Sequence, residues 1–176
     1  QDMSSDLELL PITPAWRFNW PDGTLFDYAP DSPDLAREVA RIAPGDVAGF
    51  EEFQRQAGEL WRDLRGDDRP VRGGLLGRVS KLAPRLIQHQ GWRTLGGLIG
   101  HSIKSDKLRE ALAFPALMQG ANPYAAPATL AAMHHTLRDG LWYPAGGMGR
   151  IEAALQALFE RLGGTGRLHD QVLHIH

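Results

Sequence analysis

A chain of 176 residues, 43% hydrophobic and 23% charged, is long and apolar enough to bury its own core, which excludes a disordered class. It has no cysteine, so disulfides, iron–sulfur clusters and thiolate zinc sites are excluded, and no run of 18 apolar residues, so no membrane-crossing helix is predicted. The net charge of −2 conceals a division: residues 1–68 carry 15 acids and 6 bases, residues 69–105 carry 7 bases and no acid, and the remainder is balanced.

The N-terminal QDMSSDLELLP has neither a basic n-region nor an apolar h-region, so no signal peptide is predicted. Together with the missing cysteines this favours a reducing, cytoplasmic setting. Position 1 is glutamine, as expected of a piece of a longer chain. LELLPITPAWRFNWPDGTLFDYAP reads as short strands. Trp16, Phe18 and Trp20 alternate with Arg17 and Asn19, the period of a half-buried strand. Pro21-Asp22-Gly23 is a turn, and Leu25 to Tyr28 returns as the second strand of a hairpin.

DSPDLAREVARIAPGD follows as a helix, with Ser32 as N-cap, Pro33 in the first turn, Leu35, Val39 and Ile42 on one face, and Pro44-Gly45 as the stop. The next helix, DVAGFEEFQRQAGELWRDLRG, carries Phe50, Phe53, Ala57, Leu60 or Trp61, and Leu64 as its apolar stripe. The acid-free segment then sets Leu75, Leu76, Val79, Leu82, Leu86 and Ile87 at helical spacing beside Arg78, Lys81 and Arg85, and Pro84 would kink any helix there. Trp92, Leu95, Leu98, Ile99 and Ile103 continue the apolar content.

Ser105 caps a helix through Leu108, Ala111 and Leu112 that Pro115 is expected to interrupt. APATLAAMHHTLRDG is a short helix with Leu130, Met133 and Leu137 on its inner face, ended by Asp139-Gly140. LWYP, from Leu141, is strand-like. MGRIEAALQALFERLGG is a helix with Ile151, Leu155, Leu158 and Leu162 in register and a Gly163-Gly164 C-cap. GRLHDQVLHIH closes as two short strands. The expected class is α+β: mainly helical, with a small antiparallel sheet and a C-terminal strand–helix–strand.

Four features could carry chemistry. Gly146-Gly147-Met148-Gly149 opens a helix, as phosphate-binding turns do. Glu152 nevertheless stands where G-x-G-x-x-G needs its third glycine, and no Gly-Lys-Ser/Thr follows. A strand-to-helix turn needing positive φ, or a close backbone approach to a flat ligand, accounts for the glycines instead. His134-His135 and His174-x-His176 lack a third ligand at suitable spacing, so no metal site is expected. No Gly-x-Ser-x-Gly is present. The basic, leucine-rich stretch 69–105 suits a membrane interface, with a solvated basic face as the alternative reading; its single tryptophan leaves little to stack bases on, so no nucleic-acid partner is expected.

Taken in order, P-x-x-P-A-W-R-F-x-W-P-D-G-T-x-F-D-Y, A-P-G-D-V-x-G-F, L-R-E-A-L-x-F-x-x-L-x-x-G-x-N-P-Y and L-W-Y-P-A-G-G-M-G resemble the phytoene and carotenoid desaturases, FAD-dependent members of the flavin amine oxidase superfamily. The resemblance runs from about Leu7 to Ile175 and lacks the family's N-terminal dinucleotide fingerprint and its C-terminal flavin-contacting segment. It implies an interior, substrate-domain portion of such an enzyme: residues 1–140 as a substrate-binding, membrane-facing region, and residues 141–176 as the return toward the flavin domain. On the same ground Gly146, Gly147 and Val172 are assigned to the cofactor, and Trp142, Tyr143 and Met148 to the substrate. No catalytic residue is assigned.

The implied reaction dehydrogenates a long polyene lipid by hydride transfer to flavin, with a quinone or oxygen as final acceptor, in a peripheral membrane protein. FAD is expected in the complete enzyme and not held tightly by this chain. Two other readings stay open: a non-catalytic lipid- or membrane-binding module, and an amine oxidase relative acting on a smaller substrate. Without a flavin half some apolar surface should stand exposed, favouring a homo-oligomer or a marginal domain.

Overall fold

The computed structural model describes residues 7–65, 93–166, 171 and 174. Among them the chain order is β1 (Leu9–Ile12), β2 (Trp16–Asn19), β3 (Leu25–Tyr28), α1 (Leu35–Ile42), α2 (Val47–Arg65), α3 (Leu95–Ser102), α4 (Asp106–Met118), α5 (Ala132–Thr136), β4 (Leu141–Pro144) and α6 (Gly149–Arg161). Short 3-10 turns lie at Pro44–Asp46, Ala128–Ala131 and Leu137–Asp139. Mainly helical, with two small antiparallel sheets, this is an α+β fold. The expected C-terminal strands and most of the basic stretch lie outside the described residues. Two compact units form, Thr13–Gly140 and Gln1–Ile12 with Leu141–His176. The second unit unites the two ends of the chain because β1 pairs with β4.

In the first unit, β2 and β3 form the expected hairpin, with Trp16 opposite Tyr28 and Phe18 opposite Phe26. Gly23, at φ +80°, completes the turn, and its N–H donates to the Trp20 carbonyl at 2.9 Å. Alternation sends Phe26 and Tyr28 into the core and leaves Arg17 and Asp27 to pair on the other face, Nε to Oδ1 at 2.6 Å. Around Trp16 the aromatic rings interlock: Tyr28 stacks on it at 5.4 Å, and Phe114 meets it edge-on at 5.1 Å.

α1 begins at Leu35, later than Ser32 led us to expect. Ser32 Oγ accepts from the Asp34 N–H at 3.2 Å, so Ser32 and Pro33 form the turn that enters the helix. α2 buries Phe50, Phe53, Ala57 and Leu60 as its spacing predicts, while Leu64 at the end of the stripe is exposed. α4 departs from expectation: it runs through Pro115 to Met118. A proline ring costs the helix one hydrogen bond, here the one to Ala111, but this ring is fully buried and its packing offsets that loss. α5 also turns a different face inward. Ala128, Ala131, Ala132 and His134 are buried, whereas Leu130, Met133 and Leu137 are only half-buried. Small residues let α5 lie close to α2, where a Cβ on Gly58 would stand 3.0 Å from His135 Nδ1.

Asp46 binds the first unit together from inside. Its buried carboxylate accepts the Lys104 N–H at 3.0 Å and the Ser105 N–H at 2.6 Å, fixing the bend between α3 and α4. Ser105 then caps α4, accepting from the Leu108 N–H, as predicted.

In the second unit, β1 and β4 run antiparallel, with Leu10 opposite Tyr143 and Pro11 opposite Trp142. α6 ends at the expected glycines: Gly163 takes φ +87°, and the Gly164 N–H donates to the Phe159 carbonyl at 2.9 Å. Only Ala154 of α6 is buried.

Candidate functional site

β4 leaves its pairing with β1 at Pro144, and the Ala145 N–H still donates to the Glu8 carbonyl at 2.9 Å. The chain then reverses through Gly146 at φ +86° and Gly147 at φ +98°, a conformation that side-chain-bearing residues adopt at a cost. The Gly147 N–H donates to the Pro144 carbonyl at 3.0 Å, and the N–H groups of Arg150 and Ile151 turn back to the carbonyls of Gly147 and Met148 at 3.0 Å. These three amides are occupied within the turn and the first helical turn and are not free to meet an anion.

The corner offers apolar surface and bare backbone. Trp142, Tyr143 and Met148 are all exposed, Met148 to 60%. Tyr143 shares a ladder position with Leu10, which is also exposed. Beyond the turn, Met148, Ile151, Leu155 and Phe159 line an open groove along α6, with Glu152 and Gln156 beside it. The helix register that predicted an inward face for Leu155 and Leu162 therefore describes a face left uncovered in this unit, with Leu155 at 52% and Leu162 at 64% exposed. Contiguous exposed apolar surface is, in general, where proteins meet other apolar surfaces. Five of the six residues assigned from the sequence (Trp142, Tyr143, Gly146, Gly147 and Met148) fall on this one corner. The sixth, Val172, lies outside the described residues.

Among the described residues the titratable groups with perturbed environments stand elsewhere, in the first unit. His134 is fully enclosed: Nδ1 lies 2.8 Å from the Tyr28 hydroxyl and Nε2 lies 2.9 Å from the Leu112 carbonyl. A carbonyl only accepts, so Nε2 carries the proton and Tyr28 donates to Nδ1. Burial pushes His134 down to about 4 and raises the Tyr28 phenol above its ordinary range. His135 tilts over the Trp61 ring at 4.9 Å and is lowered, first by burial and then by Arg138. Sequence alone paired the two histidines as neighbours; the helix separates them, one into the core and one onto Trp61. Among the described residues no three His, Asp or Glu side chains converge as metal ligands.

A second concavity escaped the sequence reading. It lies between α3, α4 and the Pro123-Tyr124 turn, with a volume of about 420 Å³. The Gly96-x-x-x-Gly100 spacing is its one sequence signal, since glycines four apart clear one face of a helix.

No family model matches the chain. It is similar to curated proteins along nearly its whole length. It is 33% identical over 176 residues to a lycopene-forming phytoene desaturase of Paracoccus sp. (strain N81106 / MBIC 01143), covering 99% of this chain and 35% of that protein. The lycopene-forming phytoene desaturase of Pantoea ananas is 30% identical, covering 96% and 35%. The neurosporene-forming enzyme of Cereibacter sphaeroides is 29% identical, covering 98% and 33%. The chain belongs to the phytoene and carotenoid desaturase family, and it spans about a third of the length of the curated relatives it matches. No helix among the described residues is long and apolar enough to cross a membrane.

Proposed function

We propose that the chain is the substrate-binding portion of an FAD-dependent desaturase acting on a long polyene lipid, and that its Trp142–Gly149 corner faces the cofactor. The observation that carries this reading is the 33% identity, along 99% of the chain, to a phytoene desaturase that forms lycopene. When bound, FAD supplies the hydride acceptor, which leaves the protein to bind, orient and exclude water.

Gly146 and Gly147 suit a flat ring because two consecutive positions carry no side chain, and a Cβ on Gly147 would find nothing nearer than the Tyr143 hydroxyl at 4.0 Å. Trp142, Tyr143 and Met148 then meet the polyene with exposed apolar surface. On this reading Val172 supports the adenine side, the basic stretch 69–105 meets the membrane surface, and residues 1–140 form the substrate-binding region.

The test replaces the matching third of the Paracoccus enzyme with this chain. The chimera is expected to carry flavin and to convert phytoene to more desaturated products. A folded, flavin-loaded chimera that leaves phytoene unchanged overturns the reading. The isolated chain is expected to purify without flavin absorbance. A lipid-binding role without catalysis is the second reading, favoured by the exposed row on α6. Flotation of the isolated chain with acidic liposomes at low salt supports it, and a chain left in solution refutes it.

A further inference from the structure

We propose that the cleft between α3, α4 and the Pro123-Tyr124 turn is a binding site for an organic ammonium ion carrying an apolar chain. Its volume of about 420 Å³ falls in the range of small-molecule sites, roughly 300–1,000 Å³. The proposal does not depend on the desaturase reading, because it rests on residues of the first unit alone.

The walls are apolar and held in place. Ile99 lies on the α3 side, and Ala113 and Leu117 on the α4 side. The third wall is tied to α3: the Gly96 N–H donates to the Pro123 carbonyl at 2.8 Å, and the Leu95 N–H to the Ala126 carbonyl at 2.9 Å. Tyr124 packs its ring so near Gly96 that a Cβ there would stand 2.7 Å from it. Its side chain is nevertheless 74% exposed, which leaves ring surface open to a ligand. A preformed site of this kind loses little entropy when it fills.

The charges at the mouth select the head group. Asp106, Arg109 and Glu110 occupy one turn of α4. Arg109 is committed, since its Nε donates to the Ile103 carbonyl at 2.7 Å and its guanidinium reaches Asp106 at 3.4 Å. Glu110 accepts the Trp20 indole N–H at 2.6 Å, which orients the carboxylate without neutralising it. Among the described residues no ion pair involves Glu110. With Arg109 turned to Asp106, and Lys107, which lies over the Trp20 ring, paired with Asp22, Glu110 is the carboxylate left over on a cleft that the Tyr124 ring also lines, and the pair favours a cation over a carboxylate or phosphate.

Gly100 makes the site testable. It lines the cleft, and a Cβ added there meets nothing within 4 Å, so Gly100→Leu can start its side chain in open space and occupy part of the cleft. The probes are decylammonium, decanol and decanoate, each below its micelle concentration, titrated into the isotope-labelled full chain. Saturable amide shifts are expected at Gly96, Gly100 and Tyr124 with decylammonium, and decanoate should bind about tenfold more weakly or worse, a difference of about 1.4 kcal/mol. Gly100→Leu should weaken decylammonium binding by a similar factor, and Glu110→Gln should abolish the preference for the cation. If Gly100→Leu loses its dispersed spectrum, the Glu110→Gln comparison decides. The proposal is overturned by an absence of saturable shifts, by decanoate binding as well as decylammonium, or by a preference that survives Glu110→Gln.

Discussion

The Tyr28 hydroxyl donates to Nδ1 of His134 across 2.8 Å in the centre of the first unit, joining β3 to α5. The same imidazole donates from Nε2 to the Leu112 carbonyl, so one side chain ties three elements. The groups facing it are Tyr28, Trp16, Phe53 and the α4 backbone, none of them charged at neutral pH.

This enclosure makes stability depend on pH. The folded state holds His134 at about 4, against an ordinary value of 6.5. Its contribution is complete above pH 6.5 and is lost as pH falls through that window, by up to about 1.4 kcal/mol per unit, because the unfolded chain takes up the proton first. Urea unfolding across this window is expected to show the decline and His134→Gln to flatten it. An unchanged slope in the variant would assign the titration to other groups. Tyr28→Phe should cost about 1–2 kcal/mol at neutral pH by leaving Nδ1 without its donor.

Asp46 holds two backbone amides that otherwise lack an acceptor. Asp46→Ala is expected to lower stability by about 2–4 kcal/mol, and Asp46→Asn, which keeps one acceptor, by less. Denaturant midpoints measure both. Equal losses would mean that the charge and the second acceptor, which both variants lack, carry the effect, and that the volume and the acceptor kept by asparagine do not.

Two helical glycines should respond with opposite signs to alanine. A Cβ on Gly49 would stand 1.9 Å from the Ser102 carbonyl oxygen, so Gly49→Ala forces α2 and α3 apart and should cost about 1–3 kcal/mol. Gly100 has open space around it, and Gly100→Ala should stabilise by about 0.5–1 kcal/mol through helix propensity. Thermal unfolding of the two variants separates the effects.

The row on α6 should drive association of the isolated chain. Leu155 and Phe159 are each about half exposed, and burying the exposed half at an interface contributes about 1 kcal/mol apiece. The double variant Leu155→Lys, Phe159→Lys is expected to sediment as a smaller species than the parent, with little change in unfolding midpoint. Identical sedimentation would show that this face does not mediate self-association.

Local signals that need no partner were legible. The period-two run from Trp16, closed by Pro21-Asp22-Gly23, specified the hairpin, because alternation and turn chemistry act within a dozen residues. The stripe Phe50, Phe53, Ala57 and Leu60 specified the inner face of α2, and paired positive-φ glycines marked the corner after β4. Serine and proline misled where packing outweighed propensity. Ser32 closes a turn ahead of α1, and Pro115 stays helical because its ring is buried.

By itself, then, the sequence determined the inner face of α2, the capped start of α4, the hairpin, the glycine corner and the family motifs, all of which depend on near neighbours or on a shared order of residues. Only the tertiary structure decided that β1 pairs with β4 across more than a hundred residues, and that the face of α6 is uncovered in its unit. It also decided that His134 is sealed against Tyr28 and that Trp20 orients Glu110 at a cleft. Each of these joins groups far apart in the chain, and the fold alone sets the distance between them.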